Sequence, residues 1–438
     1  MISQEYKILA KEIMQFALAN GANDARISIA SGSSSTFEYR DKQLDKLQQA
    51  SENRMEIELF VDGRYGSYST NRIDVEGLKK FTLSAIASTK YLDKDPYRKL
   101  PDPARYYNGN KDLKTYDSEF ENISVDTKLQ LAQDAINEIY GTDPGIISVT
   151  GEYSDGDSFL YIIASNGFEG ETAHTSYSVF ANVAIKGKDD ARPSDYWFES
   201  SLHFNNLVKT GIGKKAYERV IQKLGQTKIE SGKYAMLIDN TQSVRLLAPI
   251  LSALNGHALH QKNSFLLDKL NEQIVSDKVT ITDDPHIESA FGARMFDGEG
   301  VATVKRNIIE KGILKTYFID TYSAAKLETE PTIASPSIVT FELGEKNHEQ
   351  MLASLSKGIW VTGFNGGNSN SSTGDFSFGI EGFLIENGKI TKPISEMNIT
   401  GNLLTLWNNL LEIGNDPKLN TSRRVPSLLF GNVDFSGS

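Results

Sequence analysis

The chain has 438 residues, 39% of them hydrophobic and 24% charged, which is typical of a globular protein with two or three domains rather than one core. Its formal net charge of −11 argues against a broad nucleic-acid-binding surface, because phosphate recognition needs clustered lysine and arginine. The absence of cysteine excludes disulfides, a thiolate nucleophile and cysteine metal ligands.

The beginning of the chain predicts helices with strands between them. Apolar residues at helical spacing predict a helix over 3–20, and Asp74 precedes a second one. Alternating apolar and polar residues predict strands at 26–30, 36–39, 55–61 and 65–69. The N-terminus lacks a basic stretch followed by an apolar one, and no run of 18 apolar residues occurs. We therefore expect a cytoplasmic protein without signal peptide or membrane span.

The next stretch repeats the order of a helix and three strands. It follows a connector at 93–111, and Ser124 predicts the start of its helix. The predicted strands lie at 146–149, 159–163 and 174–185. A further helix is predicted over 208–224, with Gly225 ending it. The repeated order suggests a duplicated α+β unit.

The rest of the chain is richer in strands and glycine, and Ser231 lies at the expected domain boundary. A strand is predicted at 235–238, and Thr241 is expected to cap a helix that reaches Leu254, with a kink at Pro249. Further strands are predicted at 279–282, 301–309, 313–319, 383–385 and 390–394. The last two should pair, because the Asn387-Gly388 dipeptide between them is a strong hairpin signal.

These elements predict an α+β fold with two domains. The N-terminal α+β domain covers 1–230, with possible units at 1–92 and 112–230. The β-rich C-terminal domain covers 231–438.

One candidate ligand site is a polar turn that follows a glycine- and serine-rich loop at 366–372. The turn is Thr373-Gly374-Asp375, and a second turn contains Gly401 and Asn402. A flexible polar loop beside a rigid turn is a reasonable place for a ligand, although most such loops are only connectors.

Two other groups of residues are candidate metal ligands. His257 and His260 would share one face of a helix and could bind a metal there. However, Gly256 is expected to end that helix, and no carboxylate is nearby in the sequence. The alternative is that both histidines lie at the protein surface without a metal. Two acidic turns could form an oxygen-rich cation site, or could carry solvated charges at ordinary turns; their residues are Asp283, Asp284, Asp297 and Glu299. The sequence contains neither a P-loop nor a Gly-x-Ser-x-Gly motif.

The wording of residues 372–402, S-T-G-D-F-S-F-G-I-E-G-F-L-I-E-N-G-K-I-T-K-P-I-S-E-M-N-I-T-G-N, closely resembles the TldD/PmbA family, once labelled modulators of DNA gyrase. It is most similar to the PmbA (TldE) branch. Weaker matches, nearly end to end, include Asp24-Ala25-Arg26, Asp62-Gly63-Arg64, Asp320-Thr321-Tyr322 and Gly414-Asn415-Asp416.

The resemblance implies a role in a zinc metalloprotease. The catalytic TldD branch carries a His-Glu-x-x-x-His helix and a cysteine as zinc ligands. The matching region here, 250–260, has no His-Glu pair, and the chain has no cysteine. The family therefore implies a non-catalytic subunit without a cofactor of its own, paired with a TldD-like zinc subunit, that processes or degrades unfolded peptides. Its candidate peptide contacts are Thr373, Gly374, Asp375, Gly401 and Asn402.

Two alternatives stay open at this point. The chain could itself be a metallopeptidase or hydrolase, with a metal at the histidines or the acidic turns. It could also be a homodimeric peptide-binding scaffold without proteolytic activity.

Overall fold

A computed structural model describes residues 1–188 and 190–437. Asp189 and Ser438, which fall within the predicted domains, lie outside the described residues. Over the described residues the chain has an α+β fold with three sheets, of six, five and seven strands, and the predicted fold class is confirmed. Over the described ranges, no helix combines the length and the apolar character needed to cross a bilayer.

In the described part of the N-terminal half, one antiparallel six-stranded sheet packs with four α-helices. In chain order these elements are α1 (Gln4–Ala19), β1 (Asp24–Arg40), β2 (Gln43–Val61), β3 (Arg64–Thr70), α2 (Val75–Thr89), α3 (Val125–Asn137), β4 (Ile146–Ala164), β5 (Glu169–Ile185), β6 (Ser194–Ser201) and α4 (Ile212–Gln222). The sheet order is β3-β2-β1-β4-β5-β6. Strands β1 and β4 are therefore central, and the later strands of each half follow outward in chain order.

The predicted repetition is visible in this order, since each half contains a helix, three strands and a closing helix. Helices α1 and α2 cover a core with β1 and β2, while α3 and α4 cover a separate core with β4 and β5. The central strands β1 and β4 join the halves in an unbroken antiparallel ladder, from Arg26 opposite Ala164 to Arg40 opposite Thr150.

The strands are longer than the sequence pattern predicts. The strands expected at 26–30 and 36–39 are one strand, β1, and those expected at 146–149 and 159–163 are one strand, β4. The polar segment Ser31–Ser35 interrupts the apolar alternation, yet it stays in the ladder, where the Ser33 hydroxyl donates to Asp157 Oδ1 at 2.6 Å. Strand β6 was not predicted, because its polar residues give no alternating pattern.

The C-terminal half combines two sheets and five short helices among the described residues. These elements are β7 (Gly232–Ile238), α5 (Val244–Ala253), α6 (Gly256–His260), β8 (Ile281–Asp283), β9 (Arg306–Glu310), β10 (Ile313–Leu314), α7 (Thr321–Leu327), β11 (Val339–Phe341), α8 (His348–Ser354), β12 (Lys357–Phe364), β13 (Asn368–Ser369), β14 (Asp375–Glu386), β15 (Lys389–Asn402), α9 (Leu403–Asn408), β16 (Leu410–Ile413), β17 (Arg423–Arg424) and β18 (Leu428–Gly437).

One large core holds these sheets together, with Trp407, Phe318 and Phe430 among its fully buried side chains. The seven-stranded sheet has the order β12-β7-β18-β15-β14-β13, with β16 beside β18, and the five-stranded sheet has the order β10-β9-β8-β11-β17. The predicted hairpin is confirmed: β14 and β15 pair antiparallel, and Asn387 and Gly388 have φ values of 51° and 70°, as a type I′ turn requires.

Several predicted element bounds are wrong, both in the C-terminal half and at the last helix of the N-terminal half. Helix α5 begins after Ser243 rather than Thr241, because a turn over Asp239–Ser243 precedes it. Gly256 begins a new helix instead of ending one, since the Asn255 side chain caps α6 by accepting from the His257 N–H. The strands expected at 301–309 and 313–319 shrink to β9 and β10, and the helix expected over 208–224 begins only after Gly211, whose φ is +82°.

The contact between α3 and α4 depends on a glycine. A Cβ on Gly213 would lie 2.1 Å from the Ala135 carbonyl oxygen, which is backbone and cannot rotate away. We predict that Gly213→Ala lowers the free energy of unfolding by about 1–3 kcal/mol, more than the gain in helix propensity. Urea unfolding measures this loss.

Gly298→Ala is the matched control, because a Cβ at Gly298 has no neighbour within 4 Å. Equal unfolding midpoints for the two variants would show that α3 and α4 do not pack closely.

Candidate functional site

The hairpin of β14 and β15 brings the two predicted turns together. Asp375 begins β14 and Asn402 ends β15, and the register places these two residues directly opposite each other. Gly401 pairs with Phe376 in the next position. The candidate residues, distant in sequence, therefore meet at one end of the hairpin.

A hydrogen-bond network, which we call the polar turn, links these residues. Asn402 Nδ2 donates to the Thr373 carbonyl oxygen at 2.8 Å and to Asp375 Oδ1 at 3.0 Å. Thr373 Oγ1 donates to Asp375 Oδ2 at 2.7 Å. Gly374 has a φ of +79° and lies against Phe265, whose ring would be 3.2 Å from an added Cβ. The polar turn consists of Thr373, Gly374, Asp375, Gly401 and Asn402.

The carboxylate of Asp375 is exposed and charged. Hydrogen bonds from Asn402 and then from Thr373 hold the pKa of Asp375 below its usual value. The polar turn therefore presents a fixed acceptor to the surface.

The loop at 366–372 is more ordered than its composition predicts. Asn368 and Ser369 form β13, the edge strand that pairs with β14. Asn370 Oδ1 accepts from the Ser372 N–H at 2.9 Å, and the Ser372 hydroxyl donates to Asn263 Oδ1 at 2.5 Å. Asn263 and Asn370 are contributors that the sequence reasoning missed, although an asparagine in a Gly/Ser run is a turn signal.

A groove of about 210 Å³ lies between this edge strand and helix α5. Its wall includes Arg245, Ser252 and Phe378. Arg245 Nη2 donates to the Gly367 carbonyl oxygen at 3.1 Å, and its guanidinium lies 4.9 Å from the Phe378 ring centroid.

His257 and His260 lie close together on α6, with His260 Nε2 3.1 Å from His257 Nδ1. Burial, and then the neighbouring His257, lowers the pKa of His260. No third histidine or carboxylate joins them, since nowhere in 1–188 or 190–437 do three such side chains gather around a common point.

The acidic residues of the two turns are each bound to the protein itself. Asp283 accepts from the Ser337 N–H at 2.7 Å, and burial raises its pKa. Asp297 accepts from the Glu299 N–H at 2.9 Å. The remaining two are likewise engaged, Glu299 with the Thr321 N–H and hydroxyl at 3.0 Å, and Asp284 with Lys305 at 2.8 Å.

Sequence profiles of one family cover most of the chain. They are described as PmbA/TldA metallopeptidase domain 1, central domain and C-terminal domain, and they match residues 25–89, 118–224 and 231–437. The chain therefore belongs to the PmbA/TldD metallopeptidase family, as its resemblance implied.

Individual relatives span the whole chain. A crystal structure from Bacteroides thetaiotaomicron, provisionally named a modulator of DNA gyrase, is 56% identical with a TM-score of 0.98, and each chain covers 100% of the other. A "Metalloprotease PmbA homolog" from Haemophilus influenzae is 26% identical over 440 residues, covering 99% of this chain and 97% of its own. TldE from Thermococcus kodakarensis shares the fold, with a TM-score of 0.86, 20% identity and coverage of 98% and 100%.

The hydrogen bonds of the polar turn predict a change in titration. Asn402→Ala should raise the pKa of Asp375 toward its ordinary value, because the largest cause of its lowering is removed. At pH values above the ordinary carboxyl pKa, the hydrogen bonds to the ionised Asp375 stabilise the folded state. This contribution to stability is lost as the pH falls through the lowered pKa of the folded protein. The variant should lose part of that pH dependence. NMR titration of the Asp375 carboxyl carbon measures the shift.

Asn398→Ala is the control, because Asn398 lies on the same strand and has no contact with Asp375 among the described hydrogen bonds. An unchanged Asp375 titration in Asn402→Ala would contradict the network.

Proposed function

We propose that this chain is the non-catalytic, TldE-like subunit of a two-component zinc metallopeptidase that degrades unfolded peptides in the cytoplasm. The observation that carries the proposal is the convergence of the five predicted residues in the polar turn, beside an edge strand. A TldD-like subunit would supply the zinc and the catalytic water.

The residues of this chain do not fit a catalytic zinc ion. Such a site needs three protein ligands and an open position. The segment that matches the catalytic helix has histidines only at His257 and His260, and no third ligand joins them in the part of the chain that is described. The chain also lacks cysteine. We therefore assign no catalytic step to this chain.

The polar turn suits the main chain of an extended peptide. Strand β13 is at the edge of its sheet, and in the described residues it pairs only with β14. A peptide could add to this edge through main-chain hydrogen bonds, which are independent of its side chains. The Asp375 carboxylate would accept a peptide N–H, while Asn402 and Thr373 hold the carboxylate in place.

The division of labour is tested by mixing purified subunits. We expect this chain to copurify with a TldD-like protein from the same organism, and peptidase activity on an unfolded peptide only in the mixture, with zinc confined to the partner. Zinc-dependent hydrolysis by this chain alone would support the metallopeptidase alternative. A stable homodimer that binds peptide but no protease would support the scaffold alternative.

The polar turn is tested in the same mixture. Asn402→Ala should raise KM for the peptide about tenfold and leave kcat nearly unchanged, since hydrogen bonds to charged groups typically contribute about 1.5–3 kcal/mol. Asn398→Ala should leave both constants unchanged. A fall in kcat without a change in KM would assign Asn402 a role other than peptide binding.

A further inference from the structure

A second cavity, of about 830 Å³, lies between the two halves of the chain. Strand β6 and helix α4 line it from the N-terminal side, and α8, β12 and the segment 416–427 line it from the C-terminal side. We call it the junction cavity. None of its lining residues belongs to the polar turn, so it is a separate site.

Unpartnered polar atoms are concentrated in this cavity. Among the described residues, five buried side-chain nitrogen or oxygen atoms have no hydrogen-bond partner. Three of them belong to residues that line the junction cavity, namely His348 Nε2, Trp360 Nε1 and Asn420 Oδ1. Buried polar groups in proteins are nearly always hydrogen-bonded, so this concentration indicates that something polar binds here.

The hydrogen bonds around His348 fix which atom carries its proton. Ser427 Oγ donates to Asp416 Oδ2 at 2.8 Å, so its single proton is already used. His348 Nδ1, 3.2 Å from the same hydroxyl, must therefore be the donor of that second bond. Burial lowers the pKa of His348, which favours the neutral ring. His348 Nε2 is then a free acceptor.

The other two unpartnered atoms have defined roles as well. Trp360 Nε1 can only donate, and its ring centroid lies 4.7 Å from that of His348. Asn420 Nδ2 donates to Glu199 Oε2 at 3.1 Å, which orients the amide and leaves Oδ1 as an acceptor. All three atoms expose almost no surface, so a ligand reaches them only if the side chains of the cavity wall move slightly; one donor and two acceptors then become available.

Two lysines add positive charge without a neutralising partner. The Lys215 and Lys418 ammonium groups lie 3.9 Å and 4.4 Å from the Trp197 ring centroid. Neither is among the described ion pairs within 4.0 Å, whereas Arg219 is paired with Asp195 at 3.2 Å. Burial lowers the pKa of Lys418, and the charge of Glu199 offsets this only in part.

The nearby carboxylates do not cancel these charges by direct contact. Glu199 accepts from Trp197 Nε1 at 2.9 Å as well as from Asn420, and Asp416 accepts from the Ser427 N–H and hydroxyl. Asp239 accepts from the Thr241 N–H at 2.7 Å. Glu218 and Glu349 also line the cavity, but neither forms an ion pair with Lys215 or Lys418 among the described pairs. The Lys418 ammonium donates to the Phe198 carbonyl oxygen at 3.4 Å, which leaves its charge without a counter-ion in direct contact.

We infer that the junction cavity binds a ligand that carries a carboxylate next to an N–H donor. The carboxylate is held by Lys215, Lys418 and the Trp360 indole N–H, and the ligand N–H donates to His348 Nε2 or Asn420 Oδ1. An N-acylated amino acid and the C-terminal residue of a longer peptide share this chemistry. The inference does not rest on the proposed peptidase function, because it concerns binding to this chain alone.

The test is calorimetric titration of the full chain with N-acetylglycine. Tryptophan fluorescence is a second readout, since Trp197 and Trp360 line the cavity while Trp407 is buried in the C-terminal core. We expect N-acetylglycine to bind and to change the emission. N-acetylglycinamide, without the carboxylate, and acetate, without the N–H, should each bind at least about tenfold more weakly.

Variants locate the site. Lys418→Met should weaken binding of N-acetylglycine about tenfold or more, because it keeps the side-chain length and removes the charge. Lys209→Met is the matched control: Lys209 also lies 3.9 Å from an aromatic centroid, that of Phe204, but it does not line the cavity. Trp360→Phe should also weaken binding, because it removes the indole N–H. This N–H has no hydrogen-bond partner in the structure, so its removal breaks no hydrogen bond of the folded protein and the variant should still fold.

Peptides distinguish the two sources of the ligand. If an acetylated alanine tetrapeptide binds with a free C-terminus but not with an amidated one, the cavity recognises peptide C-termini. If only N-acetylglycine binds, it is a site for small acylamino acids. The inference is overturned if N-acetylglycine fails to bind at millimolar concentration, if its amide binds equally well, or if Lys418→Met and Trp360→Phe bind like the unaltered chain.

Discussion

Buried charges where the N-terminal and C-terminal halves of the chain meet restrict how the two halves pack together. Lys223 is 6% exposed and contacts Asp195 at 3.1 Å on one side and Glu381, on β14, on the other. Arg219 adds a second cation to Asp195. A buried charge is costly unless its partners are in place, so only a narrow range of domain orientations satisfies all four groups. This cluster borders the junction cavity, whose walls come from both halves.

Local sequence signals predicted the parts of the fold that depend on local chemistry. Ser124 caps its helix as expected, and Asp74 caps the helix that it was expected to precede, because a cap needs only its own side chain and the next turn. The Asn387-Gly388 hairpin follows for the same reason. The length of β1 could not be predicted, because its polar middle is held by Asp157 and the neighbouring backbone of a distant strand.

The same distinction between local and distant residues applies to the candidate sites. The polar turn could be proposed from sequence because each of its turns is a short motif, and the hairpin between them sets their register. The junction cavity could not be predicted, because its residues come from separate elements and carry no common motif. His348, Trp360 and Asn420 lie on distant parts of the C-terminal half, and the opposite wall, with Trp197 and Lys215, comes from the N-terminal half. The acidic turns show why clustered carboxylates in a sequence are ambiguous, since Asp283 and Asp297 accept from backbone N–H groups.

The central ladder of the N-terminal sheet has a consequence for biosynthesis. Strand β1 pairs with β4, which the ribosome makes roughly a hundred residues later, so one edge of β1 waits on the order of ten seconds for its partner. An exposed strand edge attracts other chains, and apolar segments are the most hazardous. The polar segment Ser31–Ser35 occupies the middle of that waiting edge, between the apolar residues of the same strand. A polar middle makes the unpaired edge a weaker template for other chains than a continuous apolar strand would be.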